Sequence, residues 1–395
     1  MTYDFQTPVN RKNTGSAKWE QMYAWNPDVA ADVIPLSVAD MELKSPPEVT
    51  EGLRDYLNDA VLGYTIPYPA FQESVAAWQK NRHGWDIEPE WVVQTQGVVA
   101  AFYAAIRAFS SKGDGVLLFR PVYYPFGSAI ADNERTEVNI PLLEQDGFYT
   151  IDFEAFETAA AKPENKILLF CSPHNPVGRV WTMEELARVA EIAVKHELLV
   201  ISDEIWNDLV FKTNPHTVLA TVTPALKPYL ITCTSPSKTF NLAGMGISNI
   251  IIEDDSLRHQ FSREVAQVRG DMIGPLSYKA CELAYAKGAA WLDELLELVL
   301  TNQKLVHDFF KNNFPQIKAP ISEGTYLQWI DFRALGMANE ELEEFLHEEA
   351  QFFTDEGYIF GIDGSGFERI NVALPTHLLQ VQLDYLAAAL RKKGC

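Results

Sequence analysis

Short, mainly apolar segments alternate with longer amphipathic segments along most of the chain. The apolar segments are four to six residues long and contain many β-branched side chains, as buried strands do; they lie at 116–119, 167–171, 198–202 and 229–234. The intervening segments carry apolar residues at every third or fourth position, which is typical of helices that cover a sheet. This alternation predicts an α/β fold with a mostly parallel, mixed sheet flanked by helices.

Turn and capping signals place further elements. A helix is predicted from Glu48 to about Leu57, and residues 94–110 are typical of a strand end, a glycine turn and a helix. Thr182 and Glu185 have the spacing of a capping box, which starts a helix leading to the strand at 198–202. Two more strands are predicted, one near 138–143 and one at 246–252, and the pattern leaves the direction of the second one open.

The two ends of the chain suggest a division into domains. Residues 1–50 are rich in polar and turn-forming groups, which indicates an arm rather than a core element. A long amphipathic helix from Trp291 would place one apolar face inward, with Leu295, Val299, Leu305, Val306 and Phe309. Strands at 326–332 and 367–373 and helices at 340–350 and up to about 391 follow it. We predict an N-terminal arm at 1–50 that packs with the small domain, a large domain at 51–288 and a small C-terminal α/β domain at 289–395.

Composition excludes several classes of function. The 395 residues carry 54 acidic and 32 basic side chains, for a formal net charge of −22. Binding to nucleic acids or anionic membranes requires clustered positive charge, so this charge argues against both as partners. No apolar run approaches the ~20 residues of a membrane span, and the N-terminus lacks the pattern of a signal peptide. The four cysteines show no metal-binding spacing, so buried free thiols and a cytoplasmic location are expected.

Four polar loops follow predicted strands. They lie at 94–99, 172–178, 203–204 and 235–238. Because ligands bind outside the carboxyl ends of the strands in open α/β sheets, we expect these four loops to share one crevice. A lysine held in such a crevice, as Lys238 would be, can form an imine with an aldehyde cofactor. Ser-x-x-Lys by itself is common by chance, and its weight comes from the other three loops.

This set of loops resembles a known family. Asn175-Pro-x-Gly178, Asp203-Glu204 and Ser235-x-x-Lys238, in this order, are similar to the fold-type I pyridoxal 5'-phosphate (PLP) enzymes, the aspartate aminotransferase superfamily. Further stretches resemble the bacterial C-S β-lyases of the cystathionine β-lyase and cystalysin branch, and they lie at 35–41, 63–65, 121–126, 172–181 and 323–329. The resemblance runs nearly end to end and implies a PLP-dependent transferase-like large domain in a homodimer with shared active sites.

The resemblance implies a role for each matching residue. Lys238 would carry PLP and act as the base at the substrate's Cα, and Asp203 would pair with the pyridine nitrogen. Asn175 would donate to the cofactor's phenolic oxygen, Tyr123 would stack on its ring, and Tyr124 would face the substrate. From the residues alone, Asp203 could also be a strand-end carboxylate, Asn175 a plain turn residue, and the tyrosines core aromatics.

The resemblance also implies how phosphate and substrate are held. The phosphate would lie near the backbone of Gly97 and Val98 and the hydroxyls of Ser235 and Ser237, with Tyr64 reaching in from a second subunit. Arg369 would bind the substrate's α-carboxylate through two bonds, and Val38 and Ala39 would line the substrate site. A surface arginine is the alternative interpretation of Arg369.

The chain departs from its relatives at two positions of this site. Gly246 lies where many aminotransferases have a phosphate-binding arginine, so hydroxyl and backbone groups would bind more of the phosphate. Trp206 replaces the tyrosine or histidine that relatives usually have three residues after the aspartate, which bears on the second hydrogen bond to the phenolic oxygen.

The predicted function is therefore a PLP-dependent C-S β-lyase. It would act on a small sulfur amino acid of the L-cystathionine or L-cysteine type and release pyruvate, ammonia and a thiol or hydrogen sulfide, with no metal. Two alternatives stay open: a class I/II aminotransferase, which would need a keto acid acceptor, and a PLP-binding regulatory partner of another protein.

Overall fold

The computed structural model of the protein describes residues 2–394. Its helices are α1 (Ala17–Trp25), α2 (Pro47–Asp59), α3 (Pro69–His83), α4 (Val98–Phe109), α5 (Pro125–Asp132), α6 (Phe153–Ala160), α7 (Met183–Lys195), α8 (Pro236–Thr239), α9 (Asp255–Gln267), α10 (Pro275–Lys287), α11 (Ala289–Asn313), α12 (Asn339–Glu344) and α13 (Thr376–Lys393). Its strands are β1 (Val92–Thr95), β2 (Gly115–Leu118), β3 (Thr136–Asn139), β4 (Leu143–Gln145), β5 (Phe148–Thr150), β6 (Asn165–Cys171), β7 (Leu199–Asp203), β8 (Leu230–Thr234), β9 (Ser248–Ile251), β10 (Leu327–Asp331), β11 (Asp355–Glu356) and β12 (Phe367–Asn371).

A seven-stranded mixed sheet forms the large part of the molecule. Its strand order is β1-β9-β8-β7-β6-β2-β3, and β9 runs antiparallel to both of its neighbours. The strands β8, β7, β6, β2 and β3 are parallel; α5, α6 and α7 lie in the connections between β2 and β7, and two short 3₁₀ helices lie between β7 and β8. The α/β prediction is confirmed, and the direction of the strand at 246–252, which the pattern left open, is antiparallel.

Both faces of this sheet are buried. Along β6, Ile167 and Leu169 enter one core cluster, whereas Leu168 and Phe170 enter the other, as the two-residue period of a strand requires. α4 and α10 pack on the first face, and α6 and α7 pack on the second. Burial on both faces explains why the strands are continuously apolar in sequence. The predicted capping box of α7 is present, with Thr182 and Glu185 bonding each other's backbone.

A second, three-stranded sheet with the order β10-β12-β11 lies in the C-terminal part, and all its pairs are antiparallel. The N-terminal arm pairs with this part of the chain. The N–H of Leu36 donates to the carbonyl of Phe353 (2.8 Å), and the N–H of Asn371 donates to the carbonyl of Leu36 (2.8 Å). The domain limits at 50 and 288 stay a prediction.

Three predicted elements differ from the structure. The strand near 138–143 is instead the end of β3 followed by a separate hairpin, β4–β5. The helix at 340–350 is α-helical only to Glu344 and continues as a π-helix at Phe345–Glu349. In α11 the buried face runs through Leu295, Val299, Val306 and Phe310 at regular helical spacing, so the predicted Leu305 and Phe309 lie beside this face and are only partly buried.

Cysteine burial agrees with expectation where the structure describes it. Cys171, Cys233 and Cys281 are buried free thiols, and Cys395 lies outside the described residues. Within residues 2–394, no helix combines the length and the apolar character that crossing a membrane requires.

Candidate active site

A cavity opens where β6, β7 and β8 end. The residues at the ends of these strands are in register, since Cys171 pairs with Asp203 and Asp203 pairs with Cys233. The loops that follow therefore meet at one edge. The lining consists of Val38, Ala39, Val98, Tyr123, Tyr124, Asn175, Asp203, Ile205, Trp206, Lys238, Asp355 and Arg369.

Lys238 lies on α8, a single helical turn directly after β8. The hydroxyl of Ser235 accepts from the N–H of Ser237 (3.2 Å) and donates to the carbonyl of Ile247 (2.8 Å), which fixes the start of this turn. The Nζ of Lys238 donates to the carbonyl of Ala39 (2.8 Å). Burial, together with the positive charge of Arg369, lowers the pKa of Lys238 to about 8. About a tenth of this amine is thus neutral and nucleophilic at pH 7, far more than for an ordinary lysine.

Asp203 ends β7 and is fully enclosed. Its Oδ1 accepts from the N–H of Ile205 (3.2 Å), and no other donor among the described residues bonds its side chain. Burial raises the pKa of Asp203 to about 7, although the Ile205 N–H and the Lys238 charge oppose this rise. A buried carboxylate in this state is suited to a cationic or N–H partner from a ligand.

Asn175 is held by the loop 172–178. The N–H of Tyr123 donates to the Asn175 carbonyl (3.0 Å), so the loop after β2 is tied to the loop after β6. Gly178 closes the turn at φ +73°, where a Cβ would come within 2.5 Å of Ser322. The side-chain oxygen of Asn175 accepts from Arg369 (2.9 Å). Its side-chain N–H₂ group bonds nothing among residues 2–394 and borders the cavity.

Arg369 lies on β12 and is buried. Its Nε and Nη2 donate to Oδ2 of Asp355 (3.2 and 2.6 Å), and its guanidinium packs over the ring of Phe360 at 4.7 Å. Together with the bond to Asn175, these contacts use three of the five guanidinium N–H groups. Two donors are left for a ligand in the cavity.

The N-terminal arm crosses the cavity at Val38 and Ala39. Val38 has φ +55°, an unfavourable conformation for a β-branched residue. The side-chain N–H₂ of Asn371 donates to the carbonyls of Val38 (2.9 Å) and Asp40 (2.6 Å), and Asp355 accepts from the N–H of Val38 (3.0 Å). These bonds hold the strained backbone and direct the Ala39 carbonyl to Lys238.

Backbone N–H groups and hydroxyls suited to an anion lie beside the cavity. Gly97 precedes α4 at φ +95°, and a Cβ placed there would meet no atom within 4 Å. The first N–H groups of α4, from Val98 onward, have no partner within the helix, and the helix dipole favours an anion there. Ser237 is partly exposed next to Ser235, at a hydroxyl-to-hydroxyl distance of 3.0 Å.

Aromatic side chains form the walls. The rings of Tyr123 and Tyr124 lie 5.6 Å apart, and Tyr124 is 46% exposed. The Lys238 Nζ lies 5.7 Å from the ring centre of Trp206, which packs edge-on against Tyr326 at 4.8 Å. Tyr326 donates to the Ala39 carbonyl that Lys238 also uses (2.9 Å).

The structure thus brings most of the predicted site residues together and keeps one apart. Tyr64 lies outside this cavity, and its side chain is 99% exposed in a coil segment before α3. Ser235 is buried as the cap of α8, next to the cavity rather than in its lining.

Asp355 and Asn371 were missed by sequence reasoning. No motif surrounds Asp355, and it reaches the site because β11 pairs with β12 so that Asp355 lies opposite Arg369. Asn371 follows Arg369 by two residues, and the two-residue period of the strand was the available signal.

Comparison with known proteins agrees with this geometry. The family described as aminotransferase class I and II matches residues 31–390. Cystathionine beta-lyase PatB of Bacillus subtilis is 35% identical over 98% of this chain and 100% of its own length. The crystal structure of cystalysin from Treponema denticola, which contains PLP, has a TM-score of 0.98 and 50% identity, covering 100% of both chains. A PLP-bound C-S lyase from Staphylococcus hominis has a TM-score of 0.91 and 31% identity, covering 99% of this chain and 98% of its own. The chain therefore belongs to the class I and II aminotransferase family.

Proposed function

We propose that this protein is a PLP-dependent carbon–sulfur β-lyase. Its substrate would be an L-amino acid with sulfur on Cβ, such as L-cystathionine or L-cysteine. With one water molecule, cystathionine would give homocysteine, pyruvate and ammonia, and cysteine would give hydrogen sulfide, pyruvate and ammonia. The observation that carries the proposal is the convergence of Lys238, Asp203, Asn175 and Arg369 on one cavity.

The donors and acceptors of this cavity fit PLP. Lys238 supplies an amine with a lowered pKa, Asp203 a buried carboxylate with a vacant acceptor, and Asn175 an amide N–H₂ without a partner among the described residues. The open cradle at Gly97 and the α4 N-terminus suit a phosphate. Bound there, PLP withdraws electrons from the substrate's Cα, which acidifies its proton and allows the Cβ substituent to leave.

The residues at the strand ends would hold the ring of the cofactor. Lys238 would bind PLP covalently, Asp203 would accept a hydrogen bond from the ring nitrogen, and Asn175 would donate to the phenolic oxygen. Tyr123 would pack against the ring. The phosphate would be held by the N–H groups at Gly97 and Val98, by Ser235 and Ser237, and by Tyr64 of a second subunit.

Substrate contacts follow from the remaining groups. The two unused N–H donors of Arg369 suit the two oxygens of an α-carboxylate, and the fixed arm at Val38 and Ala39 would limit where that carboxylate can lie. Once freed from the cofactor, the neutral Lys238 amine would take the Cα proton. Tyr124, half-exposed at the mouth, would face the leaving sulfur.

We also propose a homodimer with shared sites. The segment before α3 exposes apolar side chains that a monomer would leave in water: Val61 is 86%, Tyr64 99% and Ile66 79% exposed. A second copy of the chain covering this segment would bring Tyr64 to the partner's phosphate. The buried, unpaired cysteines suit a reducing cytoplasm, where we place the reaction.

The test is release of pyruvate from L-cystathionine with no keto acid present. We expect sustained pyruvate and thiol formation from the purified enzyme, loss of both in Lys238→Ala, and no change in Lys212→Ala, an exposed lysine outside the site. An enzyme that turns over only when 2-oxoglutarate is supplied would instead be an aminotransferase, the function for which the matching family is named.

A further inference from the structure

A second cluster of ligating side chains lies in the C-terminal part of the chain, outside the cavity. It consists of Glu343, His347 and Glu356, whose carboxylate and imidazole atoms all lie within 4.8 Å of one another. Glu356 follows Asp355 on β11, and successive strand residues point to opposite faces. Asp355 therefore faces Arg369 and the cavity, whereas Glu356 faces this cluster.

Two polar atoms of the cluster are buried and lack partners. His347 is 5% and Glu356 is 8% exposed. Neither Nε2 of His347 nor Oε1 of Glu356 makes a hydrogen bond within residues 2–394, and the two atoms are 3.9 Å apart. Buried polar groups are nearly always satisfied in native proteins, so two buried atoms without partners that face each other are candidates for binding a ligand between them.

The surrounding residues hold the cluster in place. The His347 ring packs nearly parallel to the rings of Trp25, at 4.4 Å, and Phe353, at 5.1 Å, and these contacts restrict its orientation. Tyr358 donates to Glu343 (3.0 Å), as an outer partner of a metal-binding carboxylate does. His347 lies in the π-helix that follows α12, a departure from α geometry that often marks a functional position.

Further carboxyl groups lie beside the cluster. Glu368 lies opposite Glu356 in the pairing of β11 with β12, and the guanidinium of the nearby Arg369 is already bound to Asp355. A bound cation would therefore have several acidic side chains around it.

We propose that Glu343, His347 and Glu356 bind one divalent transition-metal ion, with Zn²⁺ as the best match. Imidazole nitrogen and carboxylate oxygens are established Zn²⁺ ligands, and three protein ligands leave one position for water. With bonds of about 2.0 Å, tetrahedral ligand atoms lie about 3.3 Å apart, so the observed atoms need to close by at most about 1.5 Å. The ion would join the π-helix to β11.

Equilibrium dialysis of the PLP-loaded enzyme against Zn²⁺, after EDTA treatment and desalting, tests this site. We expect about one Zn²⁺ per chain, at least tenfold weaker binding in Glu356→Gln and in Glu343→Gln, and unchanged binding in Glu344→Gln. Glu344 is the exposed neighbour of Glu343 on α12, so its variant removes the same charge outside the cluster. Zn²⁺ should also raise the Tm of the wild type but not of Glu356→Gln.

Both glutamine variants keep the size and shape of the side chain. If Glu356→Gln does not fold, Glu343→Gln carries the test, since Glu343 is only partly buried. Equal Zn²⁺ affinity in the wild type and the folded cluster variants would overturn the proposal, because the ion would then bind elsewhere. Absence of Zn²⁺ binding by the wild type would overturn the proposal as well. A proton shared between Glu356 and His347 would then account for their two unpartnered atoms.

Discussion

Lys238 and Arg369 share a small cavity with the carboxylates of Asp203 and Asp355, and the charge of Asp40 outside the cavity also acts on Lys238. The guanidinium disfavours the Lys238 ammonium, whereas the three carboxylates favour it, and burial is the largest effect. The result is an amine whose pKa is about 8 rather than the usual 10.5. The reactivity of Lys238 is thus set by its neighbours.

This coupling predicts the pH dependence of cofactor attachment. Lys238 is protonated below its pKa, so the neutral amine fraction falls about tenfold for each pH unit below about 8. We expect the rate of covalent PLP attachment to the apoenzyme to rise from pH 6 and to level above pH 8. Arg369→Gln removes the opposing positive charge and frees Asp355, so its profile should level at a higher pH.

Stopped-flow absorbance of apoenzyme mixed with PLP between pH 6 and 9 measures these profiles. Arg333→Gln, a change at an arginine far less buried than Arg369, is the control and should follow the wild type. A flat wild-type profile, or identical profiles for Arg369→Gln and the wild type, would contradict the assigned coupling.

At the scale of elements, the arm at 36–42 functions as a wall of the cavity although it is not part of a sheet. Its strained residue Val38 is kept at φ +55° by bonds from both β11 and the end of β12. Asn371 makes two of these bonds with one amide group. Substrate binding and the packing of the arm are therefore connected through β12, which also carries Arg369.

Asn371→Ala should destabilise the arm. The change leaves two carbonyls without their donor and the N–H of Ala373 without its acceptor (2.9 Å), and at about 1 kcal/mol for each of the three bonds the free energy of unfolding should fall by about 3 kcal/mol. Because the Ala39 carbonyl would lose its fixed position, we also expect a higher KM for the sulfur amino acid. Urea unfolding followed by tryptophan fluorescence, with steady-state kinetics, gives both values. Asn58→Ala, at an exposed position of α2, should change neither; equal stability of the two variants would show that the arm does not depend on Asn371.

At the scale of the whole molecule, one described chain leaves the proposed phosphate site without Tyr64. The net charge of −22 would oppose self-association at long range, so the apolar segment 61–66 must supply the attraction. Gly246 has no side chain to offer to a phosphate, which increases the need for a donor from the partner.

Hybrid dimers test the shared site. Tyr64→Ala chains and Lys238→Ala chains should each be weakly active or inactive alone, and mixing them with proven subunit exchange should restore activity. In a random mixture half of the dimers are hybrids, and each hybrid holds one site with both wild-type residues. We therefore expect roughly a quarter of the wild-type activity, as statistics for two interchangeable chains require. Mixtures no more active than the Tyr64→Ala dimer would refute the shared site.

The fold was predictable because strands that are buried on both faces of a sheet are continuously apolar in sequence. The continuous apolar strands, the capping box at Thr182, and the strand end, glycine turn and helix at 94–110 are local signals, and each corresponds to an observed element. The π-helix at 345–349 and the hairpin β4–β5 were not predicted, because neither changes the apolar spacing over so few residues.

The sequence by itself determined the α/β class, the family and the residues that gather at the strand ends. These follow from local patterns, since a strand's carboxyl end and its loop are adjacent in the chain. The tertiary structure alone decided that Asp355 holds Arg369, that Asn371 fixes Val38, and that Glu343, His347 and Glu356 meet. These contacts join the arm, the π-helix and the antiparallel strands of the small sheet. Their residues have no common motif, because strand register and packing between distant segments bring them together.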